Sequence, residues 1–166
     1  GIYMVKVSLI GYGKWGAVID NALSDLDVKW VDTNEADWII LSTPTDLHYE
    51  QVAYWLRKKK NVFCEKPLTL SYDSAKELFD FADTMGVKLY VDNVFAWRDD
   101  YDIYDDVNHF VWTKPNQKDI NYLDRLAYHH FYMWVRDTDF EIRDITGKPN
   151  DFKIELEDGR TAEFFY

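Results

Sequence analysis

"VKVSLIGYGKWG", Val5 to Gly16, decides how the rest of the chain is read. Its first six residues form a short apolar run of strand character, and they lead directly into glycines spaced G-x-G-x-x-G, where the apolar period changes. Each glycine has a physical task in that setting. The first two let the backbone turn tightly and approach a pyrophosphate, the third lets a helix close on the strand, and unbonded N–H groups at the helix start stabilise the anion. Gly11, Tyr12, Gly13, Lys14, Trp15 and Gly16 are therefore the expected dinucleotide-binding turn. Asp32 follows about twenty residues on, where a carboxylate accepts hydrogen bonds from a ribose 2′-OH and favours NAD over NADP. The alternative for Asp32 is a cap on the turn at Thr33.

Outward from this turn, strands and helices alternate. A helix is expected from about Lys14 to Leu23, stopped by Ser24 and Asp25, then strands at Val28–Asp32 and Trp38–Ser42. The residues between those strands are too few for the dozen or so that a parallel crossover usually takes. Thr45 or Asp46 is placed to cap a helix through Lys59 with Tyr49, Val52, Ala53 and Leu56 on its apolar face. The basic run Arg57–Lys60 suits that helix's negative end. A strand at Val62–Cys64, a helix capped by Ser71 and ended by Gly86 with Ala75, Leu78, Phe79 and Ala82 inward, and a strand at Val87–Val91 complete the series. The regular alternation argues for an α/β fold, a reduced Rossmann-type parallel sheet over residues 1–97.

Composition shifts at Arg98–Asp106, RDDYDIYDD, read as a solvated linker because it lacks the glycine and terminal glutamate of a calcium loop. Beyond it, residues 98–166 read as a small, truncated α+β domain of one helix on an antiparallel sheet, serving substrate binding or oligomerisation. Its elements are strands at Asn108–Thr113, Phe140–Asp144, Phe152–Leu156 and Thr161–Phe165, with a helix from about Asp119 to Val135. The segments ITGKPND and EDG carry turn chemistry.

The chain has 166 residues with 30 acidic against 19 basic side chains, a net charge of -11 that repels nucleic acid and anionic membrane as partners. No apolar run approaches the roughly 20 residues that span a bilayer, and no basic segment followed by an apolar stretch marks the N-terminus. With the single Cys64, read as a buried apolar thiol, this leads us to expect a cytoplasmic protein. Aromatic residues make up 17% of the chain and crowd its second half, which points to an aromatic core or to a homo-oligomer interface.

Glu65-Lys66-Pro67 lies at the end of an expected sheet strand, on the edge where open α/β folds take ligands. A surface ion pair there is worth only ~0 to 1 kcal/mol, so stability explains it poorly. An ammonium aimed at a hydroxyl or carbonyl would polarise the group that gains or loses hydride. Three stretches together, GYGKWG, STPTDLHYEQVAYWLRKKKNVFCEKPLTLSYDSAKELFDFA and VKLYVDN, resemble the N-terminal half of the glucose-fructose oxidoreductase / inositol dehydrogenase / MocA (Gfo/Idh/MocA) family. The resemblance implies an NAD- or NADP-dependent oxidoreductase acting on a sugar or sugar-nucleotide hydroxyl. By it, Lys66 is the polarising cation, and Ser42, Thr43, Pro44, His48, Glu65 and Lys66 line the cofactor. For His48, mere packing at a helix start is an equal alternative.

Tyr122–His130 resembles the family's D-x-x-x-H helix. Aligned on the histidine, His129 takes the place of the proton carrier, but Arg125 stands where the orienting aspartate belongs. Asp124 is one residue away, about 100° around a helix. That departure, and the shortness of the second half, leave a second function in view: a relative that binds nucleotide or a partner without redox turnover. Adjacent His129 and His130 are not read as metal ligands, since neighbouring helix positions point apart.

Overall fold

The computed structural model describes residues 4–93, 109–111, 128–135 and 139–165, and the chain divides into two units, Gly1–Asp92 and Asn93–Tyr166. In the first, β1 (Val5–Ile10), α1 (Lys14–Leu23), β2 (Val28–Trp30), β3 (Trp38–Leu41), α2 (Thr45–Arg57), β4 (Asn61–Cys64), α3 (Tyr72–Met85) and β5 (Leu89–Val91) follow in order. The strands form one parallel sheet in the order β2-β1-β3-β4-β5. Because β2 lies on one side of β1 and β3 on the other, the order reverses between β1 and β3. That reversal opens a crevice at the carboxyl ends of these two strands.

The short link between β2 and β3 is a parallel crossover after all, and the register explains how. Val7 pairs with Trp30 on one side and with Trp38 on the other. β2 therefore stops at the level where β3 starts, and the chain has only to cross β1 rather than travel back along it. The link is held tightly: Val31 N–H donates to Val7 O (3.0 Å), and Asp37 N–H to Lys6 O (2.9 Å). The Lys6 amide returns a bond to Asp37 Oδ2 (3.1 Å). Ala36 in this link is buried in the core, where a crossover helix would otherwise pack.

That core lies between the sheet and α2 with α3. Ile39, Leu41, Val62, Cys64 and Leu89 come from the strands, Val52, Leu56, Leu78 and Ala82 from the helices. Ser71 caps α3 by accepting from Ser74 N–H (3.4 Å), and Gly86 ends it in the left-handed region at φ 68°. Two expectations need correction. Pro44, not Thr45 or Asp46, stands at the cap of α2, and that helix ends at Arg57. Phe79, expected inside, is 42% exposed, because the buried stripe of α3 is narrower and runs through Leu78 and Ala82.

The second unit holds β6 (His109–Val111), α4 (Tyr128–Val135), β7 (Ile142–Lys148), β8 (Asp151–Leu156) and β9 (Thr161–Phe165). Strands β7, β8 and β9 are antiparallel, and β6 adds to β9 in parallel, which makes the sheet mixed at that edge. β8 and β9 alternate buried and exposed positions, so Phe152, Ile154, Leu156, Ala162 and Phe164 form one apolar face with Trp134 and Val135 of α4. Phe152 stacks on Phe164 at 4.9 Å. ITGKPND is only partly a turn: β7 continues through Lys148, and the reversal is confined to Pro149 and Asn150, with Lys148 paired to Asp151. The acidic stretch 98–106, Asp124, Arg125 and the early part of the expected helix lie outside the described residues.

Candidate cofactor site at the carboxyl edge

Ile10, Leu41, Cys64 and Val91 are direct partners across four strands. The next residue of each strand therefore falls in one row along the edge: Gly11, Ser42, Glu65 and Asp92. Three ladder bonds carry the register past the strands, from Ser42 N–H to Ile10 O, Glu65 N–H to Leu41 O and Asp92 N–H to Cys64 O, each 2.9 Å.

The three glycines of the turn differ in what demands them. Gly11 has φ 91°, and a Cβ there would collide with the Ser42 carbonyl. At Gly16 a Cβ would collide with the Gly11 carbonyl. Packing alone accounts for both. Gly13 has φ -97°, open to any residue, and a Cβ there would meet nothing within 4 Å. Nothing among the described residues requires its missing side chain; a ligand approaching the backbone would. Gly13 is also the cap of α1, and the first intrahelical bond runs from Ala17 N–H to Gly13 O (3.0 Å). The amides of Lys14, Trp15 and Gly16 thus have no partner within the helix, and no acidic side chain stands in its first turn. An open cradle in front of unbonded amides fits a diphosphate. Tyr12, exposed, donates its hydroxyl to Asp20 Oδ2 (2.8 Å), and that bond with the neighbouring charge raises its ionisation above the usual phenol range. Lys14 and Trp15 are exposed at the mouth of the turn.

Asp32 follows β2 at the same edge and is exposed. The turn beyond it is closed by its carbonyl, which accepts from Glu35 N–H (2.9 Å) and Ala36 N–H (3.2 Å). The carboxylate plays no part in that cap. Lys60 donates to the carbonyls of Asn34 and Ala36, both at 2.8 Å. The ammonium that ends the basic run Arg57–Lys60 is thereby engaged with backbone.

Thr43 and His48 form a brace. Thr43 Oγ1 donates to Gln51 Oε1 (2.6 Å), while Thr43 O lies 2.8 Å from His48 Nε2. The other ring nitrogen, Nδ1, lies 2.9 Å from Pro67 O, in the loop after β4 that carries the cis peptide Lys66–Pro67. His48 is buried with both nitrogens against carbonyls. These contacts tie the Ser42–Pro44 loop to the Glu65–Pro67 loop, the packing alternative that the sequence offered beside cofactor contact. Carbonyls only accept, so both contacts are hydrogen bonds when both nitrogens carry protons. The Thr43 methyl lies beside Gly11, 2.9 Å from where a Cβ on that glycine would stand, and Pro44 is exposed.

Glu65 and Asp92 are neighbours in the edge row. Burial, followed by a hydrogen bond from Asp92 and its charge, pushes the Glu65 carboxyl up to about 8, against the opposing pull of the Lys66 charge and amide. Asp92 was not among the residues singled out in the sequence. Its signal was available: VD ends β5 as CE ends β4, and a parallel in-register pair sets the two acids side by side. Cys64 is buried and its thiol is pushed up by burial first and by Glu65 second, an inert apolar group. His129 and His130 lie half-buried on α4 in the other unit; burial lowers His130.

Residues 15–93 match the Gfo/Idh/MocA family, described as an oxidoreductase family with an NAD-binding Rossmann fold. Over these residues, just under half of the chain, the protein is similar to that family. An uncharacterized oxidoreductase of Streptococcus pneumoniae is 42% identical over 65 residues, which are 39% of this chain and 17% of that protein. A Bacillus subtilis scyllo-inositol 2-dehydrogenase (NADP(+)) is 28% identical over a stretch covering 58% of this chain and 35% of that protein. The matched stretches thus span well under two thirds of these curated relatives. Among solved structures, myo-inositol 2-dehydrogenase from Lactobacillus plantarum superposes with a TM-score of 0.79 at 15% identity, covering 98% of this chain and 69% of the other, a likeness of fold. Among the described residues no helix is long and apolar enough to cross a membrane.

Proposed function

We propose that this chain acts as a member of that family, binding NAD along the carboxyl edge of its first unit and catalysing hydride exchange at a sugar or sugar-nucleotide hydroxyl. The observation that carries the reading is Gly13: its missing side chain answers to no demand among the described residues and leaves an open cradle before the unbonded amides of α1. The acids Asp32 and Glu35 in the β2–β3 link suit a ribose hydroxyl and repel an added phosphate, which favours NAD over NADP.

A bound nicotinamide supplies the hydride donor or acceptor. The chain's own residues do the rest. Gly11 to Gly16 hold the diphosphate, the Thr43 methyl and Pro44 ring wall the ring, and His48 fixes the two loops that flank it. Lys66, two strands or roughly 10 Å across the sheet from Gly11, polarises the substrate oxygen. His129 is the proton carrier that the family resemblance implies. A cytoplasmic setting and self-association through the aromatic-rich second unit belong to the same reading, and light scattering tests the latter.

Titration of the pure protein with NADH, followed by nicotinamide fluorescence, tests the cofactor site; no binding at millimolar cofactor ends the reading. A Lys66→Ala variant turning over as fast as the parent would remove the lysine from the chemistry. One observation favours a second reading, binding without turnover: the family match ends at residue 93, ahead of His129. NADH binding with no oxidation of any sugar in a broad screen would select it.

A further inference from the structure

We propose that Glu65 and Asp92 share one proton and release it when an oxidised, positively charged nicotinamide ring lies at this edge, so that the pair discriminates between the two redox states of the cofactor. The inference rests on the cofactor site proposed above and concerns regulation of that same site.

The geometry comes from the register. Cys64 pairs with Val91, and Asp92 N–H donates to Cys64 O, so Glu65 and Asp92 leave adjacent parallel strands at the same level and on the same face. Glu65 Oε1 is fully buried with no hydrogen-bond partner among the described residues. An ionised oxygen held there beside a second carboxylate is unfavourable on two counts, desolvation and like charge. A proton between the carboxyls relieves both, and Glu65, whose ionisation is pushed up to about 8, holds it at neutral pH.

The charged groups around the pair are few among the described residues. Lys66, on the same loop, opposes the shift without abolishing it. Cys64 stays a neutral thiol. From α2, His48 is turned to the carbonyls of Thr43 and Pro67. The pair as a unit carries one negative charge when protonated and two when not.

An oxidised nicotinamide ring carries a positive charge and a reduced one does not. A cation placed beside the pair stabilises its doubly ionised form, and the proton goes to solvent; a neutral ring has no such effect. Linkage then requires the reverse: raising the pH strengthens binding of NAD⁺, by at most about tenfold per pH unit below the pair's own titration, and leaves NADH binding nearly flat.

The test counts protons. In weakly buffered solution at neutral pH with an indicator dye, saturating the protein with NAD⁺ is expected to release up to one proton per site, and NADH none. Glu65→Gln, with its fold checked by circular dichroism, is expected to bind NAD⁺ without release. Equal proton counts for the two cofactors, or release that survives in both Glu65→Gln and Asp92→Asn, overturns the proposal. Carboxyl ¹³C NMR of the cofactor-free protein separates its failure from that of the cofactor site. A carboxyl titrating near pH 8 and lost in Glu65→Gln establishes the shared proton even if no cofactor binds. A spectrum with every carboxyl in the ordinary range removes it even if cofactor does bind.

Discussion

Gly11 and Gly13 sit two residues apart in one motif and answer to different forces. Gly11 combines a left-handed φ of 91° with a collision at the Ser42 carbonyl, so Gly11→Ala is expected to cost more than about 2 kcal/mol of folding stability. Gly13→Ala meets open space and an ordinary φ, and as a cap change is expected to cost within about 1 kcal/mol. Its added methyl group occupies the cradle, and NADH affinity is expected to fall at least tenfold. Thermal melts and fluorescence titrations of both variants check the contrast; equal losses of affinity per unit of stability lost would dissolve it. Glu65 makes a pH prediction of definite sign. Its folded value, about 8, lies above its ordinary 4.5, so the folded state binds more protons between them. The stabilisation is fully present below 4.5 and is lost as pH rises through about 8. Glu65→Gln is expected to flatten urea stability across that window, and to gain relative to the parent at its alkaline end.

At the scale of elements, the β2–β3 link is the feature that propensity reasoning could not supply. A parallel connection is long when it must return along a strand, and here the shared level of Trp30 and Trp38 on Val7 removes the return. Beyond the bonds that tie its two ends to β1, the link is anchored by Lys60, with two bonds of 2.8 Å to its carbonyls. The basic run at the end of α2 was legible as a helix terminus, which Arg57 serves; the anchoring role of Lys60 was not, since its acceptors come from an element far back in the chain. Lys60→Met keeps the length of the side chain and removes the donor. It is expected to cost about 1 to 3 kcal/mol in urea unfolding, with NADH binding weakened through the displaced Asp32 carboxylate. His48 belongs here too: the sequence placed it at a helix start, but only the approach of the Pro67 loop shows that both its nitrogens are engaged by backbone.

Across the whole molecule, each unit has its own core. The first packs the sheet against α2 and α3, and the second packs β8 and β9 against α4. A fragment of residues 1–93 is therefore expected to melt cooperatively and to retain NADH binding within about threefold of the full chain, since the cradle, brace and edge row all belong to it. A fragment that is unfolded by circular dichroism would show that the first core depends on the second unit. In the first unit, strand and helix identities, the glycine turn, the Ser71 cap and the Gly86 stop were determined by sequence alone, because each expresses a preference of a few consecutive residues: apolar period, backbone freedom, or a side chain that replaces a missing backbone partner. The edge row Gly11, Ser42, Glu65 and Asp92, the short parallel crossover and the brace at His48 were decided only by tertiary structure. Each depends on the register between strands, and register is a property of how distant segments pair, which no local stretch of residues contains.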